Sequence, residues 1–322
     1  MVLSMGFCYN LVINNPITFL YQENNMQRRE FLAAAGLATL TAALPLNMSF
    51  GAEKKKAKIL YFSRSQGFEH DPVKLIDGGP SVSDKAFTKW GEKNNVEFVC
   101  TKDGTVFDGD LGQFDGFAFY TSGNLLAEKA TDGSKPMSDE GMKRFLRAVR
   151  DGGKGFVGYH AATDSMRTPG EAFENQEKVH PYITMLGGEF IKHDDQQKAP
   201  MLITQPPGLH WLKDKGESFE LWDEWYSLKN FNKNIHVILT QETKNMKGPS
   251  YNRPPFPATW AQNYGKGRSA YTSIGHLNSI WEDDHYAQFF GELLEWSIGR
   301  FDMDVTPNMA KVTPEAHILQ RK

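Results

Sequence analysis

The chain has 322 residues, a formal net charge of -3 at pH 7, and 12% aromatic residues. This charge gives no support for a nucleic-acid or anionic-membrane partner, because both favour strongly basic surfaces. The two cysteines, Cys8 and Cys100, are too few for a disulfide scaffold or a CxxC-type zinc site.

The N-terminal segment has the pattern of an export signal. Arg28 and Arg29 are followed by an apolar run over residues 33–46 and by small residues at 49–52. This order is typical of a secretion signal, and paired arginines favour the Tat route. The run is shorter than the roughly 20 residues that cross a bilayer. We therefore expect residues 26–52 to be a Tat-type signal peptide, with a buried N-terminal helix as the alternative.

Two further expectations follow from this signal. An export peptide does not normally carry a long extension, so residues 1–25 are interpreted as an upstream mis-start and Met26 as the true start. The mature protein is expected to be periplasmic or secreted, and to have no permanent membrane span after removal of the signal.

The first part of the mature chain predicts strands that alternate with helices. Short apolar runs predict strands at 58–63, 96–100, 115–120 and 155–159, and helical spacing predicts helices over 83–94 and after Ser138. This alternation is typical of an α/β fold with a parallel sheet and helices on both faces. Ligands bind such sheets at the carboxyl ends of the strands, here in the loops 67–71, 121–124 and 160–164.

The second part of the chain is less regular. Residues 201–204 and 236–240 predict strands, and residues 258–274 predict a β-hairpin with a glycine turn. Residues 284–298 predict a closing amphipathic helix, and residues 301–322 an extended polar tail. One domain over residues 57–300 is the simplest organisation, since no repeat or low-complexity linker interrupts it.

His160 is the first candidate catalytic residue. It follows a predicted strand and is flanked by small residues, as in a nucleophile elbow. An imidazole at this corner can act as an acid or base, or bind a metal, and Asp164 is expected to orient it. The alternative is a buried histidine whose partners are backbone groups. Ser122 and Asn124 follow the third strand and are candidates for substrate or oxyanion binding, although their sequence is also ordinary turn composition.

The other histidines are candidate metal ligands. His193, His210 and His276 offer nitrogen donors of the kind that zinc prefers, and Glu224 is a candidate catalytic carboxylate beside them. They lack HxH or HExxH spacing, so their ligand atoms would have to come from separate loops. A divalent metal such as zinc is therefore a candidate cofactor of open identity, and surface roles for these histidines are the alternative.

Aromatic and basic residues of the second half are candidate substrate-binding groups. Tyr226 and Trp260 offer flat faces that match the C–H patches of sugars, and Trp211 and Trp222 extend this pattern. Core packing is the alternative for any one of these rings. Arg268, at the start of a predicted strand, is the candidate positively charged residue for substrate binding.

Four ordered motifs carry a resemblance to a known family. They are GYHAATDS at 158–165, GGEFIKH at 187–193, DEWY at 223–226, and PATW with GKGRSAYTSIGH within 257–276. Over residues 58–300 the chain resembles the ThuA-like, or trehalose-utilisation, family. The resemblance implies a flavodoxin-like, class I glutamine amidotransferase-like fold in which His160 occupies the position of the amidotransferase cysteine. Cys100 does not replace that thiol, so glutamine hydrolysis through a thioester is not expected.

The resemblance also implies a substrate class. Family members are associated with disaccharide catabolism, often beside sugar dehydrogenases that make 3-keto-glycosides. We therefore expect a small-molecule carbohydrate partner and an enzyme that acts on a disaccharide, glycoside or 3-keto-glycoside by histidine-based or metal-assisted chemistry. A non-catalytic carbohydrate- or partner-binding protein is the alternative, and a homo-oligomer stays open.

Overall fold

The computed structural model describes residues 55–204 and 208–320, which belong to a unit of the chain that begins at Gly51. The predicted export signal and the segment before it lie outside the described residues, so both stay predictions. No helix among the described residues is long and apolar enough to cross a membrane.

The strands and helices of the described chain lie in the following positions. The strands are β1 (Ala57–Phe62), β2 (Val96–Thr101), β3 (Gly116–Phe119), β4 (Gly155–Tyr159), β5 (Glu189–Lys192), β6 (Gln197–Ile203), β7 (Ser218–Asp223), β8 (Ser227–Lys229), β9 (His236–Gln241), β10 (Phe256–Tyr264) and β11 (Gly267–Thr272). The helices are α1 (Val82–Asn94), α2 (Asp139–Arg150), α3 (Pro181–Leu186), α4 (Asn278–Glu282), α5 (Asp284–Ser297) and α6 (Met309–Val312).

Nine of these strands form one mixed sheet in the order β2-β1-β3-β4-β11-β10-β9-β6-β7. The strands from β2 to β11 pair in parallel, which confirms the predicted α/β fold for this half. The hairpin of β10 and β11 is also confirmed, and it turns at Gly265, whose φ is 60°. From this hairpin onward the pairing is antiparallel, so the structure adds a half that the predicted parallel sheet did not include.

The core lies on both faces of the parallel half. Every residue of β3 and β4 is buried, as expected for strands covered by helices on both sides. Helices α1 and α5 contact each other, and α2 contacts α3. Both long N-terminal helices begin at serine caps: Ser81 accepts from the Asp84 backbone N–H, and Ser138 accepts from Gly141.

The C-terminal segment is not the extended tail that its polar composition predicts. It contains α6, and beyond it Ala316 and Leu319 are buried. Arg253, itself buried, donates from Nη2 to the Ala316 carbonyl oxygen over 2.8 Å. A buried guanidinium needs hydrogen-bond acceptors, and the Ala316 carbonyl oxygen of this segment supplies one of them.

The parallel pairing determines where functional side chains collect. The carboxyl ends of β1, β3, β4 and β11 open at one edge of the sheet. The loops after β1, β4 and β11 carry His70, His160 and His276 to this edge. The connection from β7 to β8 adds Glu224.

Candidate metal centre

Three imidazoles and one carboxylate converge at the edge of the sheet. One ligand atom from each of His70, His160, Glu224 and His276 lies within 4.8 Å of the others. We call these four residues the histidine–glutamate cluster. His70, His160 and Glu224 are buried, and His276 is half-buried.

Two of the distances from Glu224 within the histidine–glutamate cluster are close to those expected between ligands of one metal ion, and the third is longer. Glu224 Oε2 lies 3.1 Å from His276 Nδ1, 3.4 Å from His160 Nε2 and 3.9 Å from His70 Nε2. Ligand atoms placed tetrahedrally at roughly 2.0–2.1 Å from zinc are separated by about 3.3 Å. The cluster therefore has the spacing of a ligand set with room for a cation at its centre.

Three of these ligand atoms lack hydrogen-bond partners. Among the described residues, His160 Nε2, His276 Nδ1 and Glu224 Oε2 are buried side-chain atoms with no hydrogen-bond partner. An unpaired buried polar group costs about 1–3 kcal/mol, and more when it is charged. A divalent cation would satisfy all three atoms at once, so the donor set fits a metal such as zinc.

The corner at His160 fixes the direction of its ring. His160 has a φ of 39°, a conformation that side-chain-bearing residues rarely adopt, and it opens a 3₁₀ turn over His160–Asp164. Its Nδ1 lies 2.8 Å from the Ser273 carbonyl oxygen. Because a carbonyl only accepts, Nδ1 carries a proton, so in the neutral ring the lone pair is on Nε2, which faces Glu224. The backbone departs from the ordinary range here, as the predicted elbow requires.

The orienting partner of His160 differs from the predicted one. Asp164 was expected to hold the ring, but the contact to Nδ1 comes from Ser273. The Asp164 carboxylate instead accepts a hydrogen bond from Arg167 over 3.3 Å. The backbone supplies the contact because the Ser273 carbonyl, just beyond the end of β11, lies beside the corner that follows β4.

Asp223 holds the segment that carries His276. Its two carboxylate oxygens accept from the Gly275 N–H over 2.8 Å and from the His276 N–H over 3.2 Å. Burial raises the pKa of Asp223 to about 6, although the nearby His160 and backbone bonds from Gly275 and Glu224 oppose the shift. Sequence reasoning included this residue in the DEWY motif without giving it a role, and its position next to Glu224 was the available signal.

His70 is the ligand that sequence reasoning missed. Burial, and then the neighbouring imidazoles of His160 and His276, lower the pKa of His70 well below its usual value. The ring is therefore neutral near pH 7, the form that binds metals. Tyr226 Oη lies 3.1 Å from its Nε2. The signal was its loop, 67–71, which the sequence did place at the binding edge.

Glu224 is the charged centre of the cluster. Burial opposes its ionisation, but the neighbouring His160 and His276 outweigh that effect and hold the pKa of Glu224 well below its usual value. For His276, burial lowers the pKa, but the contact with Glu224 outweighs burial and raises the pKa overall. The cluster therefore holds a carboxylate, the form in which Glu224 can ligate a cation.

The family of the chain follows from its sequence match. The family model ThuA, described as trehalose utilisation, matches residues 58–297. The chain belongs to the ThuA family. Membership indicates a carbohydrate-related role, and it confirms the resemblance carried by the four motifs.

A solved ThuA-like structure confirms the fold of this ThuA-family protein, and two further similar structures have TM-scores below 0.5. A ThuA-like protein from Parabacteroides merdae is 18% identical, with a TM-score of 0.52 over 79% of this chain and 94% of that one. A GH42 β-galactosidase from G. stearothermophilus is 15% identical, with a TM-score of 0.43 over 74% and 30%. A cytoplasmic protein from Salmonella typhimurium LT2 is 13% identical, with a TM-score of 0.45 over 74% and 99%. No curated protein sequence matches the chain.

Among the predicted ligands of this ThuA-family protein, His276 lies in the cluster and the other two histidines lie outside it. His193 is at the mouth, with Nδ1 3.3 Å from Glu224 Oε1 and 43% of its side chain exposed. His210 is exposed and lines a different cavity with Trp211 and His285. His210 is thus corrected from a ligand to a surface residue, because its 3₁₀ turn lies away from the edge that carries the cluster.

Two predicted substrate-binding residues have structural roles instead. Trp260 is fully buried, and its Nε1 donates to the Leu186 carbonyl oxygen over 2.8 Å. Arg268 pairs in register with Gly155 at the start of β4, the opposite end of that strand from His160. Its guanidinium bonds to Asp302 and to backbone carbonyls. The prediction that they bind substrate is therefore wrong: Trp260 packs in the core, and Arg268 bonds to the segment that follows α5.

The backbone N–H groups of Ser122 and Asn124 already have hydrogen-bond partners within the protein, and Tyr226 packs against the cluster. The backbone N–H of Ser122 donates to the Arg64 carbonyl, and that of Asn124 donates to Gln66 Oε1. These N–H groups are therefore not available to an oxyanion. Tyr226 is buried, and its ring centroid lies 4.4 Å from that of His160, so it packs against the cluster.

A cleft opens beside the histidine–glutamate cluster. Its volume is about 970 Å³, and its walls come from residues 193–198, from Trp222, Glu224 and Asn245, and from residues 247–249. Glu224 and His193 belong both to the cluster region and to the wall of this cleft. We call it the adjoining cleft. It gives a small molecule a path to the cluster.

Proposed function

We propose that this protein is a metal-dependent enzyme that acts on a disaccharide, glycoside or 3-keto-glycoside. The observation that carries the proposal is the convergence of His160 Nε2, His276 Nδ1 and Glu224 Oε2, buried and without hydrogen-bond partners. Membership of the ThuA family supports the carbohydrate class. The adjoining cleft supports access for a substrate of this size.

In this proposal His70, His160, His276 and Glu224 hold the metal. A bound divalent ion such as zinc would polarise a carbonyl or hydroxyl oxygen of the sugar. Ser273 fixes the tautomer of His160 through its carbonyl. Groups that hydrogen-bond to metal ligands orient those ligands and raise the affinity of the site for the metal. Asp223 acts in the same way on the backbone of His276.

His193 is the residue best placed to exchange a proton with the substrate. It is the predicted ligand that lies between the cluster and the adjoining cleft, and its side chain is 43% exposed. A keto group acidifies the neighbouring C–H of a sugar, so a base at this position would promote elimination or isomerisation. His160 is fully buried and is therefore assigned to holding the metal rather than to contacting the substrate.

Thiol chemistry finds no support in this chain. The elbow position holds His160, and burial raises the pKa of Cys100, which lies on β2, above its usual value. A thiol kept protonated is a poor nucleophile. The proposal therefore excludes glutamine hydrolysis through a thioester.

The export pattern of residues 26–52 supports the further proposal that the protein meets its sugar in the periplasm or outside the cell.

Metal analysis and turnover together test the proposal. Protein purified without chelator or histidine tag is expected to contain about one equivalent of metal per chain and to convert at least one member of a panel of 3-keto-disaccharides. His160→Ala is expected to lose the metal, whereas His193→Ala keeps the metal and loses turnover. Turnover by metal-free wild type would contradict the proposal. Sugar binding without turnover, retained in His160→Ala, would favour the non-catalytic alternative.

A further inference from the structure

The adjoining cleft extends well beyond the histidine–glutamate cluster. Its volume of about 970 Å³ lies at the upper end of the roughly 300–1,000 Å³ that small-molecule sites span. Of its lining residues, Glu224 belongs to the cluster and His193 contacts Glu224, whereas the other lining residues lie outside the cluster. The cleft therefore has room for more of a ligand than the part that contacts the cluster.

The walls of the adjoining cleft are tied to each other. Gln197 Nε2 donates to the Lys247 carbonyl oxygen over 2.9 Å, and the Lys247 N–H donates back to Gln197 Oε1 over 2.8 Å. The Ser250 N–H donates to Asp194 Oδ2 over 2.7 Å. Gly248 has a φ of 106°, and a Cβ there would clash with the Asp194 carboxylate. These contacts make the cleft a preformed feature rather than a gap between loose loops.

Trp222 is placed in this cleft without a packing role. Its exposed fraction is 55%, whereas every other tryptophan of the chain is 5% exposed or less. It lies on β7, the edge strand of the large sheet, where exposed residues alternate with half-buried ones. Small-molecule sites are concave and lined largely by apolar and aromatic side chains, so an exposed ring in this cleft is available to a ligand.

The groups around Trp222 indicate the chemistry of the ligand. The walls carry both signs of charge, Asp195 against Lys247, together with the amide of Asn245. Mixed charges do not select an ion, and donors and acceptors beside an aromatic face match the hydroxyls and C–H patch of a sugar ring. A neutral, hydroxyl-rich ring is therefore the ligand that fits.

We propose that the adjoining cleft is a binding subsite for a second sugar unit, and that Trp222 is its stacking platform. This inference rests on the proposed function, because it places the reacting unit at the cluster. The substrate then contains at least two sugar units. Trp222 acts on the unit that does not react, so it determines affinity for disaccharides and leaves the chemistry unchanged.

Calorimetric titration of the wild type and Trp222→Ala with trehalose, sucrose and glucose tests the inference. We expect the Kd for at least one disaccharide to rise about tenfold or more, equivalent to about 1.4 kcal/mol, and the Kd for glucose to change by less than about twofold. Trp222→Phe keeps a flat ring and is expected to keep most of the affinity. Leu202→Ala, which removes another exposed apolar side chain from the neighbouring strand β6, is the matched control and should bind like the wild type.

The outcomes separate this inference from the proposed function. An unchanged disaccharide Kd in Trp222→Ala, an equal loss for glucose, or no disaccharide binding by the wild type would overturn the subsite. Metal content and turnover of 3-keto-disaccharides are measured on the same preparations. If the wild type lacks metal and turnover but binds disaccharides through Trp222, the subsite stands and the catalytic proposal falls.

Discussion

Removing a metal from the histidine–glutamate cluster should lower the melting temperature of the protein substantially. Without a cation, His160 Nε2, His276 Nδ1 and Glu224 Oε2 are buried and have no hydrogen-bond partner. Because these groups come from elements distant in sequence, unfolding separates them and destroys the site. A metal that binds only the folded form therefore stabilises it.

The size of the effect follows from linkage. A ligand present at 1,000 times its Kd stabilises the folded state by about 4 kcal/mol. In domains of roughly 150–250 residues, 1 kcal/mol shifts the melting temperature by about 2–4 °C. We therefore expect a chelator such as EDTA to lower the melting temperature by about 8–16 °C, and zinc, manganese or cobalt to restore it.

Differential scanning calorimetry with and without chelator measures this shift. His160→Ala and His276→Ala should abolish most of the difference between the two scans, whatever their own melting temperatures. His210→Ala is the matched control, because that histidine is exposed and lies outside the cluster, and it should keep the full difference. An equal chelator effect in His160→Ala and the wild type would refute the assignment of the metal to this cluster.

Four further outcomes are expected. Asp223→Asn replaces an acceptor of two backbone N–H bonds with a group that accepts only one, so metal affinity, measured by competition with a chromogenic chelator, should fall about 10–100-fold. Trp260→Phe leaves the Leu186 carbonyl unpaired and should cost about 2–4 kcal/mol in urea unfolding, with metal content unchanged. Metal affinity should decrease as pH falls, because imidazoles bind metal only when they are neutral. Glu224 raises the pKa of His276 against the effect of burial, so metal affinity should begin to decrease at a higher pH than it would with an unperturbed histidine. Replacing Arg28 and Arg29 with lysine should retain the protein in the cytoplasmic fraction, and unchanged export would contradict the Tat prediction.

The parts of the fold that the sequence predicts are those with strong local signals. The strands β1, β3 and β4 are near-continuous apolar runs because both faces of the sheet are covered where they lie. Helix α2 follows a serine cap and ends near two glycines, so its start and end are readable without the rest of the chain. These signals depend on neighbouring residues alone, and the structure agrees with them.

The edge strand β7 of the antiparallel half lacks such a signal, whereas β9 and the hairpin of β10 and β11 had one. In β7 the half-buried positions are Phe219 and Leu221, and the exposed positions are Ser218, Glu220 and Trp222. A polar residue at position 222 would have produced the apolar–polar alternation of a half-buried strand. The tryptophan obscures that pattern. The strand was therefore missed for the same reason that makes Trp222 a candidate platform.

Site residues at the ends of strands were predictable from the sequence. Site residues whose role depends on contacts between distant loops were not. The sequence predicts His160 and His276 as site residues because polar residues at strand ends suggest function, and it predicts Glu224 as a carboxylate beside the histidines. His70 was not selected, because its pairing with His276 depends on contacts between distant segments. Trp260 and Trp222 look alike in sequence, yet one is fully buried and the other 55% exposed. Tertiary packing determines whether such a ring is buried in the core or exposed in a pocket, and a single sequence does not reveal that packing.

The strained corner at His160 explains how an elbow can serve a ligand rather than a nucleophile. A non-glycine residue in such a conformation costs of order 1–3 kcal/mol and persists only where its surroundings determine it. Here Tyr271 Oη donates to the His160 carbonyl over 2.8 Å, and the Ser273 carbonyl holds Nδ1. A nucleophile on the same corner must reach the substrate, but this ring is fully buried and directs Nε2 at Glu224. The strain therefore fixes a lone pair toward the interior of the site, which a metal ligand requires and an attacking group does not.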